Sequence, residues 1–325
     1  MVTSLPRETK TGGCTACLCF IRAKIDKILM IYMGNLLTSD RIIFLLVIFL
    51  PLFASFANAE ESKKLVTFDY AIADTLAALQ QPPLAMAGLA QYRRLYQEPL
   101  LPDTRELGNR FQPNFEYLAS LEPDVIMISP PAHLNLEGKL SDIADVIKIS
   151  LFGKNLNIWQ SLEQLTKEVG ELNGQQQQAQ ILIDSVDARL SLIATQIERP
   201  ANPLLIVEIR DDRHVRVYGS GSLEDAVLTR LGLENAWQGS TNGWGFSTLS
   251  IPEAFRLEGQ KVVLHPFYTQ DQDLTSTLPT SGLWQHWLDG TALSINRNYW
   301  PWGGFPSALR FAESLVEALE EPTTP

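Results

Sequence analysis

The chain has 325 residues, 45% of them hydrophobic and 19% charged, with a net charge of −11. That length is enough for two domains with full-sized cores. The acidic balance argues against a nucleic-acid binder, whose affinity comes from Lys and Arg on phosphates, and against attraction to anionic membranes.

Residues 1–59 stand apart. All three cysteines, Cys14, Cys17 and Cys19, fall in CTACLC, without the second Cys or His pair that a metal site needs. Arg41 begins RIIFLLVIFLPLFASFANA, an apolar run ending in Ala57-Asn58-Ala59. A charged flank, a hydrophobic stretch and a small-residue cleavage site make a secretory signal peptide; an uncleaved membrane tether is the alternative. Met33 stands at an ordinary distance from the run and is the expected start. The exported chain, from Glu60, has no cysteine and hence no disulfide.

From residue 64 short apolar runs alternate with helical ones. LVTF (65–68) and AMAGL (85–89) read as strands around a helix at 71–79. A polar loop with Pro99, Pro102 and Pro113 then carries Arg93, Arg94, Arg105 and Arg110, and Pro113 opens a helix. Strands follow at 124–129 and 146–151, with helices at 136–143 and 158–172. Strand–helix alternation of this kind predicts a parallel sheet in an α/β domain. Residues 175–198 run without Gly or Pro, with apolar residues at Ile181, Val186, Leu190, Ile193 and Ile197, and predict one long helix. After Pro200-Ala-Asn-Pro203 a second α/β pattern begins. Strands are expected at 204–209, 214–219 and 261–265, and helices at 222–231 (with Ser222 as N-cap), 252–257, 283–288 and 306–319. PNFEYLASLEPDVIMIS and IPEAFRLEGQKVVLHPF match in pattern, each a proline-started helix feeding a strand. The expectation is two similar lobes, 60–173 and 200–325, joined by a helix at 174–199, with a ligand cleft between them.

Catalytic and metal motifs are missing. His133, His214, His265 and His286 form no metal-ligand spacing, and no nucleophile elbow, phosphate loop or dinucleotide fingerprint occurs. What stands out is aromatic. NAWQGSTNGWG (235–245) sets Trp237 and Trp244 in a polar loop, and YWPWGGF (299–305) sets Trp300 and Trp302 around a proline. Such indoles either cap a sheet edge or form a ligand wall. Tyr70, Tyr92, Tyr96 and Arg110 add a recognition surface in the first half. A guanidinium among aromatic rings suits a bulky ligand with anionic oxygens.

The patterns ELGNR-x-x-PN-x-E (106–116), NAWQG-x-TN-x-WG (235–245), WPWGG (300–304) and YRRLY-x-EP-x-LPD (92–103) resemble the ferric-hydroxamate periplasmic binding family, FhuD type, over residues 62–320. The resemblance implies a class III fold: two Rossmann-like α/β lobes joined by one long rigid helix. It implies a monomer, not an enzyme, that binds an Fe(III)-hydroxamate siderophore and delivers it to an inner-membrane ABC permease with its ATPase. The iron arrives already chelated, so no cofactor and no protein–metal bond are expected. By position, Arg110 matches the arginine on the iron-bound hydroxamate oxygens. Trp244 and Trp300 match pocket-wall tryptophans, with Trp237 and Trp302 in the same motifs. Tyr70 and Tyr96 stand where the family has tryptophans. The family's pocket tyrosine falls at Ala132, so that either His133 substitutes or one contact is missing. Glu137 and Glu253 fall where the family docks on its permease. A haem or cobalamin carrier of the same fold is the first alternative. A secreted hydrolase using His214 or His265 is the second.

Overall fold

The computed structural model describes residues 63–96, 101–154, 156–265, 282–288 and 290–320. The signal-peptide pattern, Met33, the three cysteines and Pro99 lie outside them.

The first lobe opens with β1 (Leu65–Thr67), buried throughout, and α1 (Tyr70–Ala78). Asp69 caps α1, its Oδ1 accepting from the backbone N–H of Ala71 at 2.8 Å. β2 (Ala85–Met86) and α2 (Leu89–Tyr96) follow, then β3 (Arg105–Glu106) and a hairpin of β4 (Gly108–Asn109) and β5 (Gln112–Pro113). α3 (Phe115–Ser120), β6 (Val125–Ile128), α4 (Glu137–Ser141) and β7 (Asp145–Lys148) complete the lobe. The sheet is parallel throughout, in the order β3-β2-β1-β6-β7.

Two expectations fail here. Arg93 and Arg94 lie on a helix rather than in a loop, because Leu89, Tyr92, Leu95 and Tyr96 recur at helical spacing and bury one face. Pro113 ends a strand rather than opening a helix. Asn114 is the cap, its side chain accepting from the backbone N–H of Tyr117 at 2.9 Å.

α5 (Ile158–Leu172) and α6 (Gln176–Gln196) lead to the second lobe. Over 21 residues, α6 extends about 32 Å. It buries Ala179, Ile183, Val186, Leu190 and Ile193. Ile181, expected on that face, points away and is 58% exposed. Gly170 lets the two helices touch, since a Cβ there would stand 2.6 Å from the Ala179 Cβ.

The second lobe contains β8 (Leu204–Ile209), β9 (His214–Tyr218), α7 (Leu223–Leu231), β10 (Phe246–Ser250), α8 (Ile251–Ala254), β11 (Gln260–Leu264), α9 (Gly282–Leu288), β12 (Leu293–Ile295) and α10 (Phe305–Glu320). Its sheet order is β10-β9-β8-β11-β12. β8, β11 and β12 are parallel, and β9 and β10 form an antiparallel meander on one edge. The repeat read from the sequence is visible: α3 feeds β6 beside β1, and α8 feeds β11 beside β8.

Strand alternation divides each sheet between two cores. In β8, Leu205 and Val207 face an outer cluster with Val215, Val217 and Trp284, whereas Leu204 and Ile206 face inward. The inner cluster is continuous across the molecule. It runs from Leu65 and Ile72 through Leu162 and Val186 to Leu223 and Phe311. Each large aliphatic side chain buried there contributes about 1.5–3 kcal/mol.

Candidate ligand-binding cleft

In a parallel sheet of order β3-β2-β1-β6-β7 the chain leaves β1 toward one side and β6 adjoins it from the other. The crevice at the carboxyl ends of these two strands is where α/β sheets bind ligands. A cavity of about 630 Å³ lies there, lined by Asp69 after β1 and by Ser129 and Ala132 after β6. The β4–β5 hairpin adds Asn109, Arg110 and Phe111, and the second lobe adds Arg216, Trp244, Phe246, Trp300 and Trp302.

Arg110 is held from several sides. Its Nε donates to the carbonyl of Phe68 at 2.8 Å, and its guanidinium stands 3.7 Å from Asp69 Oδ2. The guanidinium carbon lies 4.2 Å from the Tyr70 ring centre and 5.5 Å from that of Trp300, a cation–π arrangement. Nε is occupied by backbone, and the rest of the fork borders the cavity. Burial pushes the Asp69 carboxyl above its usual range, against the pull of Arg110. Gly88 makes room for this assembly. It has φ +77, and a Cβ there would meet the Tyr70 hydroxyl at 2.6 Å and Arg110 Cγ at 2.8 Å.

Aromatic rings continue from this point across both lobes. Tyr70 meets Trp300 edge-on at 5.0 Å, Trp300 meets Trp302 at 5.2 Å, and Trp302 meets Trp244 at 5.7 Å. The Trp302 indole N–H donates to the carbonyl of Trp244 at 3.2 Å, locking the two tryptophan loops together. Gly245 (φ +79) seats this loop on the start of α7, where a Cβ would collide with the backbone of Ser222.

Of the residues singled out from sequence, Arg110, Trp244, Trp300 and Trp302 line the cavity. Four others stand behind it. Tyr70 is fully buried beneath Arg110 and donates to the carbonyl of Gly88 at 2.9 Å. Burial pushes its hydroxyl up to about 12. Tyr96 is buried on α2, its hydroxyl 2.7 Å from Asp74 Oδ2 and 2.9 Å from Ser307 Oγ. Trp237 folds over Gly219 and Gly239 and packs with the outer core of the second sheet. His133 is buried behind Phe111, the rings 5.6 Å apart, and Ala132 lines the wall instead. Burial, and then the charge of Arg110, push the imidazole down to about 4, so it is neutral at pH 7.

Glu137 begins α4 and pairs with Lys148 Nζ at 2.6 Å. Glu253 closes a capping box at the start of α8, and hydrogen bonds from Ser250 hold its carboxyl below its usual range. His214 is exposed beside Asp211 at 3.0 Å, and His265 contacts the Ser294 hydroxyl while its Nδ1 has no orienting acid among the described residues. No triad forms there. Among the described residues no cluster of three or more His, Cys, Asp or Glu could hold a metal ion, and no helix is long and apolar enough to cross a membrane.

Sequence reasoning missed Asp69, Arg216, Phe246 and Phe152. The HVRVYG alternation held one of them: Val215 and Val217 face the outer core, so Arg216 must face the cleft side.

The profile of the family described as Periplasmic binding protein matches residues 65–270. The Iron(3+)-hydroxamate-binding protein FhuD of Escherichia coli K12 is 28% identical over 266 residues, 81% of this chain and 89% of that protein. The Fe(3+) dicitrate-binding periplasmic protein FecB of the same organism is 24% identical over 55% of this chain and 59% of that protein. The crystal structure of FhuD from Vibrio cholerae with Fe3+-Desferal bound superposes with a TM-score of 0.71 at 24% identity, covering 82% of this chain and 100% of that one. With two α/β lobes, a connecting helix and a cleft at the strand ends, the chain belongs to the periplasmic binding protein family.

Proposed function

We propose that this protein captures an Fe(III)-hydroxamate siderophore in the inter-lobe cleft and delivers it to an inner-membrane ABC permease. It works in the periplasm, after removal of the N-terminal signal. The observation that carries the reading is Arg110, a partly free guanidinium at the switch point of a parallel sheet, framed by Tyr70 and Trp300. Hydroxamate oxygens bound to iron keep partial negative charge and accept charge-assisted hydrogen bonds, each contributing about 1.5–3 kcal/mol. The apolar arms of the chelate would lie on Trp244 and Trp302. The iron is cargo, and the protein acts by binding, not by turnover. Haem carriage is disfavoured, because its candidate axial ligands Tyr92, Tyr96 and His133 are buried away from the cavity lining. Glu137 and Glu253, one on each lobe, are the proposed permease contacts.

Titration of the exported protein with ferric hydroxamates, ferric catecholates, haemin and cobalamin, followed by tryptophan fluorescence, tests the reading. Saturable quenching by hydroxamates, weakened at least tenfold in Arg110→Ala, is expected. Quenching by haemin or cobalamin alone would overturn the substrate assignment. Reversing the charge at Glu137 and Glu253 should leave quenching unchanged and abolish uptake by cells; normal uptake would remove the docking role.

A further inference from the structure

On the cleft side of the second lobe, three arginines gather at one glutamate among the described residues. Arg216 sits directly across from Glu208 in the β8–β9 register, and its guanidinium lies 3.6 Å from Glu208 Oε2. Glu208 is already engaged. Arg297 stands 3.1 Å from the same oxygen, Arg210 pairs with the other, and the Tyr218 hydroxyl donates to Oε2 at 2.8 Å. Burial alone would push the Glu208 carboxyl up; Arg297 and then Arg210 reverse this and hold it below its usual range. Three guanidiniums therefore surround one carboxylate.

Of the three, Arg216 lines the cavity. Its side chain is 23% exposed, and among the described residues it donates no hydrogen bond shorter than the 3.6 Å approach to Glu208. The Phe246 ring lies 4.4 Å from its guanidinium carbon, fixing the plane while leaving the in-plane N–H groups unused. A partly exposed guanidinium whose carboxylate is shared and 3.6 Å away keeps donors for a ligand anion.

We propose that Arg216 is a second anion-binding residue of the cleft, contributed by the lobe opposite Arg110, and that it selects ferric hydroxamate chelates bearing an additional ionised carboxylate. This rests on the siderophore reading above. Three hydroxamate anions neutralise Fe(III), so a plain trihydroxamate gives Arg216 no net charge to meet. A carboxylate on the same ligand does.

The test uses ferric desferrioxamine B, its N-acetyl derivative and its N-succinyl derivative. All three have the same iron centre, while the free end changes from ammonium to neutral amide to carboxylate. Affinity should rise along this series, with the carboxylate form about tenfold above the neutral one, as expected for one charge-assisted pair. In Arg216→Gln the rise should vanish, and in Arg216→Lys most of it should return. Arg110→Ala should weaken all three alike. Because the comparison is between ligands within one variant, a general loss of folding cannot mimic it. Equal affinity of wild type for all three, or an undiminished rise in Arg216→Gln, overturns the proposal. If none of the three binds wild type, the hydroxamate reading falls by itself. Ferric citrate then decides on Arg216: binding that is lost about tenfold in Arg216→Gln sustains its anion-binding role, and no binding or unaltered binding ends it.

Discussion

Replacing Tyr96 by Phe separates a pocket residue from an internal tie. The Tyr96 hydroxyl, on α2 of the first lobe, donates to Asp74 Oδ2 at 2.7 Å and lies 2.9 Å from Ser307 Oγ on α10 of the second. Asp74 also accepts from Tyr92 and Ser307, each at 2.7 Å, and from the backbone N–H of Gly304 at 3.4 Å. Burial pushes this carboxyl up, and the hydroxyls of Ser307, Tyr92 and Tyr96 pull it back. Asp74 is 3% exposed, Tyr96 2% and Ser307 fully buried, so no water replaces a lost donor. A hydrogen bond to a charged acceptor contributes about 1.5–3 kcal/mol. For a folded unit of this size, about 2 kcal/mol lowers Tm by roughly 4–8 °C. The loss should grow as pH rises through the raised titration of Asp74, because the missing bond stabilised its ionised form. Thermal unfolding by circular dichroism measures the first effect, and parallel fluorescence titration should find ligand affinity within about threefold of wild type. An unchanged Tm with affinity reduced tenfold or more would place Tyr96 in the binding surface and refute the geometry.

Gly88→Ala should disturb the site through Arg110. The added methyl would meet the Tyr70 hydroxyl and Arg110 Cγ at an unfavourable φ of +77. The guanidinium must shift, and affinity should fall about tenfold, the equivalent of one charge-assisted bond; unaltered titration would show that Arg110's position is not critical. Glu224→Gln should expose a pH-dependent cost. Burial holds this carboxyl at about 7 against an ordinary value of 4.5, so its contribution is fully present below pH 4.5 and is lost as pH rises through 7. The amide keeps an acceptor for the Tyr299 hydroxyl, now 3.0 Å from Glu224 Oε1. The variant should match wild type near pH 4.5 and exceed it by about 3 kcal/mol at pH 8 in urea unfolding. A difference independent of pH would contradict it.

The long elements were legible because periodicity and caps agree in them. The helix expected at 158–172 and the strand at 204–209 occur with those bounds, each with the burial its pattern implies. The region from 89 to 113 misled, because prolines and arginines suggested a loop while the Leu89–Tyr96 period was real. At the site, residue type identified the aromatic loops and Arg110, but it could not assign faces. Trp237 and Trp244 share one motif, yet only Trp244 turns to the cleft; Trp237 turns to the outer core because Gly219 and Gly239 leave it a slot there. Tyr70 and Tyr96 were invisible as structural residues, since Asp74 and Ser307, which bond to Tyr96, are 22 and 211 positions away in sequence. Arg216 was hidden for a similar reason. Its setting emerges only when β8, β9 and the segment after β12 bring three arginines to one glutamate.

The two lobes are connected by more than the chain crossing at α6. α10 returns from the second lobe to pack on α1 of the first, and the inner core passes without interruption through α1, α5, α6, α7 and α10. The Asp74 tie and the Trp302–Trp244 hydrogen bond reinforce that layer beside the cleft. Hinges are loop or element-end residues that absorb large backbone changes, whereas here a packed helical layer spans the junction. Cleft walls held in this way lose little conformational freedom when a ligand arrives, so that more of the contact energy appears as affinity. They also adapt little to shape. Discrimination then falls to what rigid walls distinguish well, the placement of charge, and that is the property in which Arg110 on one lobe and Arg216 on the other set this cleft apart from a purely aromatic one.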